Sequence, residues 1–493
     1  MIWLGYVLYG IYAVSTLWLL ATALAQLHLL WHSRKLHLGS MFNKMDVLPF
    51  VSIQVPVYNE KYVIVGLLQS LIKLDYPRHL LQIQVLDDST DETAAIIDQQ
   101  VASIREFGFS ISLLRRESRQ GYKAGALQYG LPECKGKFIA IFDADFRPLP
   151  GFIHSLIHHF SDAQVGLVQA RWGHLNTGQN FLTRIQTYLL DMHFSVEQQG
   201  RYQAQYYTNF CGAAGIWRKE CIREAGGWDG SVLSEDLDLS YRAQLKGWRL
   251  IYDGKVIVPA QLPDTVEAFK IQQFRWTKGI AQVAKKRLHQ IWQTRLPFTK
   301  KLHGMFHLLG SFAFVCLFIN AMLTVPLLQL RQRYPEFTTL TNYSIIGVIN
   351  LVVLAYLYYT SAGASPKKLF RFLLHYPLFV VVYLGMSVQN AVAVMQGFAG
   401  LQSPFVRTPK FDPASPKDVY QQKKIGWIIW LEAGLVLYFL YGTCLSFYYG
   451  DYFFLFVFVL MCCGLMILLY PVIQNLSANK ERSHRRLLQH ETV

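Results

Sequence analysis

The first 33 residues contain no Asp, Glu, Lys or Arg. About 20 apolar residues suffice to cross a bilayer as a helix, so this absence of charge excludes a simple soluble enzyme and predicts a membrane span over residues 1–33. A cleaved signal peptide would need a basic start and a shorter apolar run. Both are lacking, although Ala23-Leu24-Ala25 resembles a cleavage site. Paired cysteine spacings are missing too. Cys134, Cys211, Cys221, Cys316, Cys444, Cys462 and Cys463 fit neither a metal-binding nor a disulfide framework, and are expected to be free thiols in a reducing compartment. There is no internal repeat and no low-complexity segment.

What is present is a chain of 493 residues, 52% hydrophobic, with a formal net charge of +15. Such a surplus suits nucleic acid, an anionic membrane face or phosphate-bearing substrates. The long uncharged runs select the membrane, and no nucleic-acid partner is expected. Arg34-Lys35 follows the first span, so the positive-inside rule places the chain beyond it in the cytosol. Residues 48–301 change character. Apolar segments at Phe50 to Val57, Leu81 to Leu86 and Lys137 to Phe142 read as strands, and Tyr62 to Leu74 and Thr90 to Phe107 read as helices. The order βαβαβ predicts a Rossmann-like α/β domain with a parallel sheet, binding ligand at the carboxyl ends of its strands.

Uncharged runs return after Lys301. Two spans are expected over 302–366 and two over 425–479, where the run Ile425 to Gly450 is interrupted only by Glu432. Residues 367–402 carry Pro377, Gly385, Gln389, Asn390, Gln396 and Gly397 and read as an interfacial helix. That arrangement gives five spans, and leaves a loop at 403–424 and the basic tail 480–493 on the cytosolic side with residues 48–301. Glu432 would be costly against lipid, so it lies near the interface or against a polar lining.

Five polar clusters and Lys123 punctuate the α/β region. Asp143-Ala-Asp145 ends a strand, and two carboxylates so placed suit a hard divalent cation, Mg2+ or Mn2+, that neutralises a diphosphate. By itself the pattern equally fits a polar strand-to-loop transition. Asp87-Asp88 and Pro56-Val57-Tyr58-Asn59-Glu60 end two further strands, so Tyr58, Glu60, Asp87 and Asp88 would share one mouth able to hold a base and ribose. Lys123, between small neighbours, is a phosphate partner or a solvated surface lysine. Ser234-Glu235-Asp236 opens a helix, where acidic residues stabilise the first turn whatever their function; Asp236 could also act as a general base. Gln272, Arg275 and Trp276 lie on a predicted helix at the membrane face, fit for hydroxyls, diphosphate and a sugar ring, or for interfacial anchoring.

In this order, Asp87-Asp88, Asp143-x-Asp145, Glu235-Asp236 and Gln272-x-x-Arg275-Trp276 resemble the processive members of glycosyltransferase family 2, over nearly the whole chain. Leu86-Asp-Asp-Ser-Thr-Asp91, Val168-Gln-Ala-Arg-Trp172, Ala225-Gly-Gly-Trp228 and Gln272-Gln-Phe-Arg-Trp276 are most similar to the plant cellulose-synthase-like A and C groups, which make mannan or glucan backbones. The resemblance implies a GT-A-type domain joined to a multi-pass α-helical membrane region. It also implies inverting transfer from UDP-glucose or GDP-mannose to a glycan, and residence in a plasma, inner or Golgi membrane. By it, Asp87 and Asp88 contact the nucleotide, Asp145 holds the metal with Asp143 beside it, and Asp236 is the base. Glu235, Gln272 and Trp276 meet the acceptor, and Arg275 the diphosphate. Phe405-Val-Arg-Thr408-Pro-Lys410 resembles the gating loop of bacterial cellulose synthase, which implies that Thr408 and Lys410 approach the donor. The sequence departs from the family pattern at Ser234, where Thr is usual, at Ala213 and at Arg407. Transfer of one sugar to a lipid such as ceramide or polyprenyl phosphate, or binding of nucleotide sugar without turnover, are the alternative functions.

Overall fold

The computed structural model describes residues 2–35, 45, 47–341, 345–403, 406–408 and 426–490. Lys410, the rest of the expected gating-like loop and the side chains of the basic tail lie outside the described residues.

Seven strands form one sheet: β1 (Val51–Val57), β2 (Leu81–Asp87), β3 (Ser110–Arg115), β4 (Phe138–Ile141), β5 (Val165–His174), β6 (Gly215–Arg218) and β7 (Arg249–Ala260). Their order is β3-β2-β1-β4-β6-β5-β7, with β6 antiparallel to both neighbours and every other pairing parallel. The three strands read from the sequence appear within one residue of their expected ends. Register then sets them side by side: Val57 pairs with Asp87, and Gln54 with Ile141, so the ends of β1, β2 and β4 open on one edge.

Helices α1 (Ile2–Ser33), α2 (Ile64–Leu71), α3 (Thr93–Glu106), α4 (Tyr122–Gly130), α5 (Phe152–Ile157), α6 (Phe181–Met192), α7 (Gln199–Gln203), α8 (Lys219–Glu224) and α9 (Glu235–Leu245) precede or cover the sheet. Ile53 and Val55 of β1 pack under Ile64, Leu67 and Leu68 of α2 on one face. Ile139 and Ile141 of β4 pack against Leu127 of α4 and Leu239 of α9 on the other. Each such fully buried aliphatic side chain contributes about 1.5–3 kcal/mol. A sheet buried on both faces leaves only its strand ends for chemistry.

Helix α10 (Val266–Gln293) leaves β7 and runs along the junction with the apolar region. It is followed by α11 (Phe298–Leu308), α12 (Phe312–Arg333), α13 (Glu336–Thr341), α14 (Ile345–Ser361), α15 (Pro366–Ala399), α16 (Trp427–Tyr449) and α17 (Tyr452–His490). Among the described residues five helices are long and apolar enough to cross a membrane: α1, α12, α15, α16 and α17 over Tyr452–Gln474. Exposed Trp3, Trp430, Phe447 and Tyr448 crowd their outer surfaces, which water would not tolerate as a continuous patch. Asn320 of α12 donates to Thr16 of α1 at 3.1 Å. A Cβ on Gly464 would fall 2.3 Å from the Val381 carbonyl, so α15 and α17 meet backbone to backbone.

The expected interfacial helix is α15, and by length and apolar content it also qualifies as a span, while α14 is shorter. Both ends of α15 nevertheless rest on the α/β side. Phe372 meets Tyr188 of α6 with ring centroids 5.7 Å apart, and Gln396 accepts from Lys278 of α10 at 3.0 Å. At about 1.5 Å per residue the interval between those contacts exceeds 30 Å.

Candidate active site

The ends of β1, β2, β4 and β5 and the starts of α4, α9 and α10 line one open cavity. Tyr58, Glu60, Asp88, Lys123, Asp143, Asp145, Glu235, Asp236, Gln272, Arg275, Trp276 and Thr408 all line it. Residues up to 350 positions apart in the chain are thus brought to one wall-to-wall site.

Asp87 is set back from the cavity. Its side chain is fully buried, takes a 2.8 Å salt bridge from Arg115 and accepts the Ser89 amide at 3.0 Å. Arg115 is its register partner on β3, so the cross-strand neighbour consumes the carboxylate, and it does not line the cavity. Asp88, one residue on, points into the mouth and is held by two nitrogens of Arg116. The guanidinium of Arg119 lies 3.3 Å from the centre of the Tyr58 ring, fixing that ring at the rim.

Lys123 is held at the start of α4, inside the cavity. Gly121, with φ of 69°, turns the chain into α4, and a Cβ on Gly125 would meet the Gln120 carbonyl at 2.1 Å. Glycine is therefore required for this turn to close. The Lys123 Nζ donates to Asp143 at 2.5 Å and to the Gly212 carbonyl at 2.8 Å. Burial would lower its pKa, but Asp143, and then Glu235 and Asp236, hold it above the ordinary lysine value.

Glu235 and Asp236 open α9. Ser234 makes no side-chain cap; its hydroxyl instead packs where a Cβ on Gly279 of α10 would sit, so the expected cap gives way to helix-to-helix contact. The Leu237 amide donates to Asp236 Oδ1 at 2.8 Å, which aims the carboxylate. Burial first, and the Glu235 charge second, push Asp236 up to about 7. Glu235 is also raised, by burial against the opposing pull of Lys123. A Cβ on Gly212 would stand 3.2 Å from Asp236 Oδ2 and 3.5 Å from Lys123 Nζ, so a bare backbone separates that carboxylate from the ammonium.

On α10, burial draws the Arg275 pKa below its ordinary value, while Asp143, Glu235, Asp236 and Glu60 favour its charge. Trp276 faces Trp172 with centroids 6.4 Å apart, and Trp172 donates its indole N–H to the Ala213 carbonyl at 3.2 Å. Trp172, His174 and Cys211 belong to the lining but were not assigned roles from the sequence. For the first two the signal was available: Arg171-Trp172-Gly173-His174 ends β5 as the other clusters end β1, β2 and β4. Arg407 is a further lining residue. It reaches back to Glu60 at 3.0 Å and to the Asn59 carbonyl, tying residues 406–408 to the end of β1.

Among the described residues, six carboxylates (Glu60, Asp88, Asp143, Asp145, Glu235, Asp236) face four cations (Arg119, Lys123, Arg275, Arg407) in this cavity. The acidic surplus and the all-oxygen donor pair Asp143 and Asp145 fit a hard divalent ion that keeps waters and takes ligand phosphate oxygens. Among the described residues no cluster of three His, Cys, Asp or Glu forms an all-protein cage.

Residues 49–279 match the family described as Glycosyltransferase like family 2. Glucomannan 4-beta-mannosyltransferase 1 of Oryza sativa subsp. japonica is 36% identical over 387 residues, covering 74% of this chain and 70% of that protein. Glucomannan 4-beta-mannosyltransferase 9 of Arabidopsis thaliana is 31% identical over 436 residues, covering 83% and 78%. Among solved structures, a mannosyltransferase from Pyrobaculum calidifontis in complex with GDP-Man and Mn2+ superposes with a TM-score of 0.55 at 18% identity. It covers 80% of this chain and all of that one, and shares the fold. With its GT-A-like sheet, its apolar helices and relatives matched along most of their length, the chain belongs to glycosyltransferase family 2 and is a nucleotide-sugar-dependent hexosyltransferase akin to the glucomannan 4-beta-mannosyltransferases.

Proposed function

We propose that this enzyme polymerises a β-1,4-linked, mannose-containing glycan from GDP-mannose by repeated single displacement. The observation that carries the reading is the meeting of Asp143, Lys123 and Asp236 around Gly212, with Arg275 completing the cavity wall. Asp236 removes the proton of an acceptor hydroxyl as that oxygen attacks the anomeric carbon. A base near pKa 7 combines availability with driving force at neutral pH. Attack opposite the leaving diphosphate inverts the centre, so an α-linked donor gives a β-linked product.

Lys123 and Arg275 take up negative charge as the diphosphate departs, Arg275 by paired hydrogen bonds. Asp145, with Asp143, would hold a divalent cation, Mg2+ or Mn2+, which supplies further neutralisation of that charge. Tyr58, Glu60 and Asp88 bound the nucleotide end, with Thr408 and Arg407 above it. Trp276, beside Trp172, offers an aromatic face to the acceptor sugar, and Gln272 and Glu235 bind its hydroxyls.

The catalytic domain is cytosolic, with five spans formed by α1, α12, α14, α16 and α17, and α15 lying along the membrane face. Three contacts support this topology. Residues 407 and 408 border the cavity, both ends of α15 touch α6 or α10, and Arg331 pairs with Asp451 at 2.7 Å where α12 ends and α17 begins. The glycan would leave through this bundle.

The test is incorporation of radiolabel by purified enzyme in lipid vesicles with Mg2+ and Mn2+, from GDP-mannose and separately from UDP-glucose. Ethanol-insoluble label from GDP-mannose is expected. Insoluble label from UDP-glucose alone would change the sugar, and label confined to the organic-extractable fraction would replace the polymer with a glycolipid.

A further inference from the structure

Helix α10 has two working faces. One carries Gln272, Arg275 and Trp276 into the cavity. The other is turned to the membrane helices and is polar where an apolar surface would be expected. Lys270 Nζ donates to both carboxylate oxygens of Glu432 on α16, at 2.9 and 2.7 Å, and Glu432 is completely buried. The Gln389 side chain of α15 donates to the Lys270 carbonyl at 3.0 Å. Two turns further on, Lys278 donates to Gln396 and Ser403 at 3.0 Å each. A Cβ on Gly397 would fall 2.7 Å from the Cβ of Ala281, so the helices touch there without slack.

Stability alone does not account for the charged pair. Well-packed apolar residues of similar volume are commonly as stabilising as a buried ion pair or more so, whereas one partner left alone is strongly destabilising. An ion pair does what packing does not: it admits one rotation and one register of α10 against α16. Lys270 precedes Gln272 by two residues and Trp276 by six, so an error in that register moves the acceptor-facing side chains directly. Arg275 rides on the same helix, whereas the cavity's other acidic and basic groups sit at strand ends, on α4 and α9 and at residue 407, and would not move with it.

We propose that Lys270 and Glu432 are a positioning pair that sets the register of α10 against the membrane bundle, and thereby places Trp276 and Gln272 for the acceptor glycan. This rests on the acceptor role given above to those two residues. Neither Lys270 nor Glu432 lines the cavity, so they act through α10.

The test compares the parent with Lys270→Arg, Glu432→Gln and the apolar double variant Lys270→Met/Glu432→Leu, in vesicles with GDP-mannose. It reads turnover, KM for donor, product length, melting temperature and binding of GDP. The double variant should melt near the parent and weaken GDP binding only a few-fold, through Arg275, yet lose about 10-fold or more in turnover and make shorter chains, as misplacement of a reactant by about 1 Å does. Lys270→Arg should restore both. Parent-length product at the parent rate from the folded double variant would overturn the proposal. So would a loss in which GDP binding falls as far as turnover. Should the double variant fail to fold, Glu432→Gln is judged by the same split. If the parent itself extends no glycan, it is the polymerase reading that fails; a parent that extends normally leaves any failure with the pair.

Discussion

In the catalytic mouth six carboxylates face four cations across one cavity, whereas the ion pairs described in the membrane region, Lys270 with Glu432 and Arg331 with Asp451, are one to one. The imbalance in the mouth leaves a field that a metal and a diphosphate can complete; burial first and the Glu235 charge second raise the pKa of Asp236, and Asp143 holds that of Lys123 up against burial. The balanced pairs leave little field and fix geometry instead. The same chemical groups therefore serve catalysis where they are crowded and architecture where they are matched.

Removing the base should break this contrast most severely. Asp236→Asn is expected to cost on the order of 10³-fold or more in turnover, with donor KM little changed, as measured by sugar transfer in vesicles. Asp145→Asn should cost on the order of 100-fold and raise the Mn2+ concentration needed for half-maximal rate, since one hard ligand is lost. The pH profile sharpens the comparison further. Asp236 acts only when deprotonated, so turnover should rise with pH through about 7. In Glu235→Gln the neighbouring charge is gone, and the rising limb should move to lower pH, because burial alone then remains to hold the proton. Arg407→Val removes the tie to Glu60 and should raise donor KM by a few-fold, the scale of a part-exposed charge pair. The smallest effect belongs to the matched pair far from the site: Arg331→Met with Asp451→Leu should leave turnover within about twofold, because an apolar replacement of both partners is tolerated.

How much of this was legible in the sequence follows from how local each signal is. β1, β2 and β4 are apolar runs that end in acidic clusters, and both features lie within ten residues of each other. β6 spans only Gly215–Arg218 and pairs antiparallel with strands more than 40 residues earlier, so nothing local marks it. The choice between Asp87 and Asp88 depended on Arg115, which meets Asp87 only through the β2 to β3 register. Adjacent residues at a strand end face opposite ways, and the sequence does not say which faces the mouth. Glu432 could be marked as out of place in an apolar run, but its partner lies 162 residues earlier on a helix whose other face does chemistry. Arg407 stands out in the sequence as a departure from a family pattern; its contact with Glu60, 347 residues away, exists only in the fold.

In the proposed reaction Asp236 drives an inverting transfer that builds a β-linked glycan. The most direct measurement is the linkage and anomeric configuration of the radiolabelled product, read by digestion with an endo-β-1,4-mannanase and by proton NMR of the released oligosaccharides. The account predicts β-1,4-linked mannosyl residues from an α-linked donor, and no product from Asp236→Asn. An α-linked product, or an unchanged yield from Asp236→Asn, would contradict it.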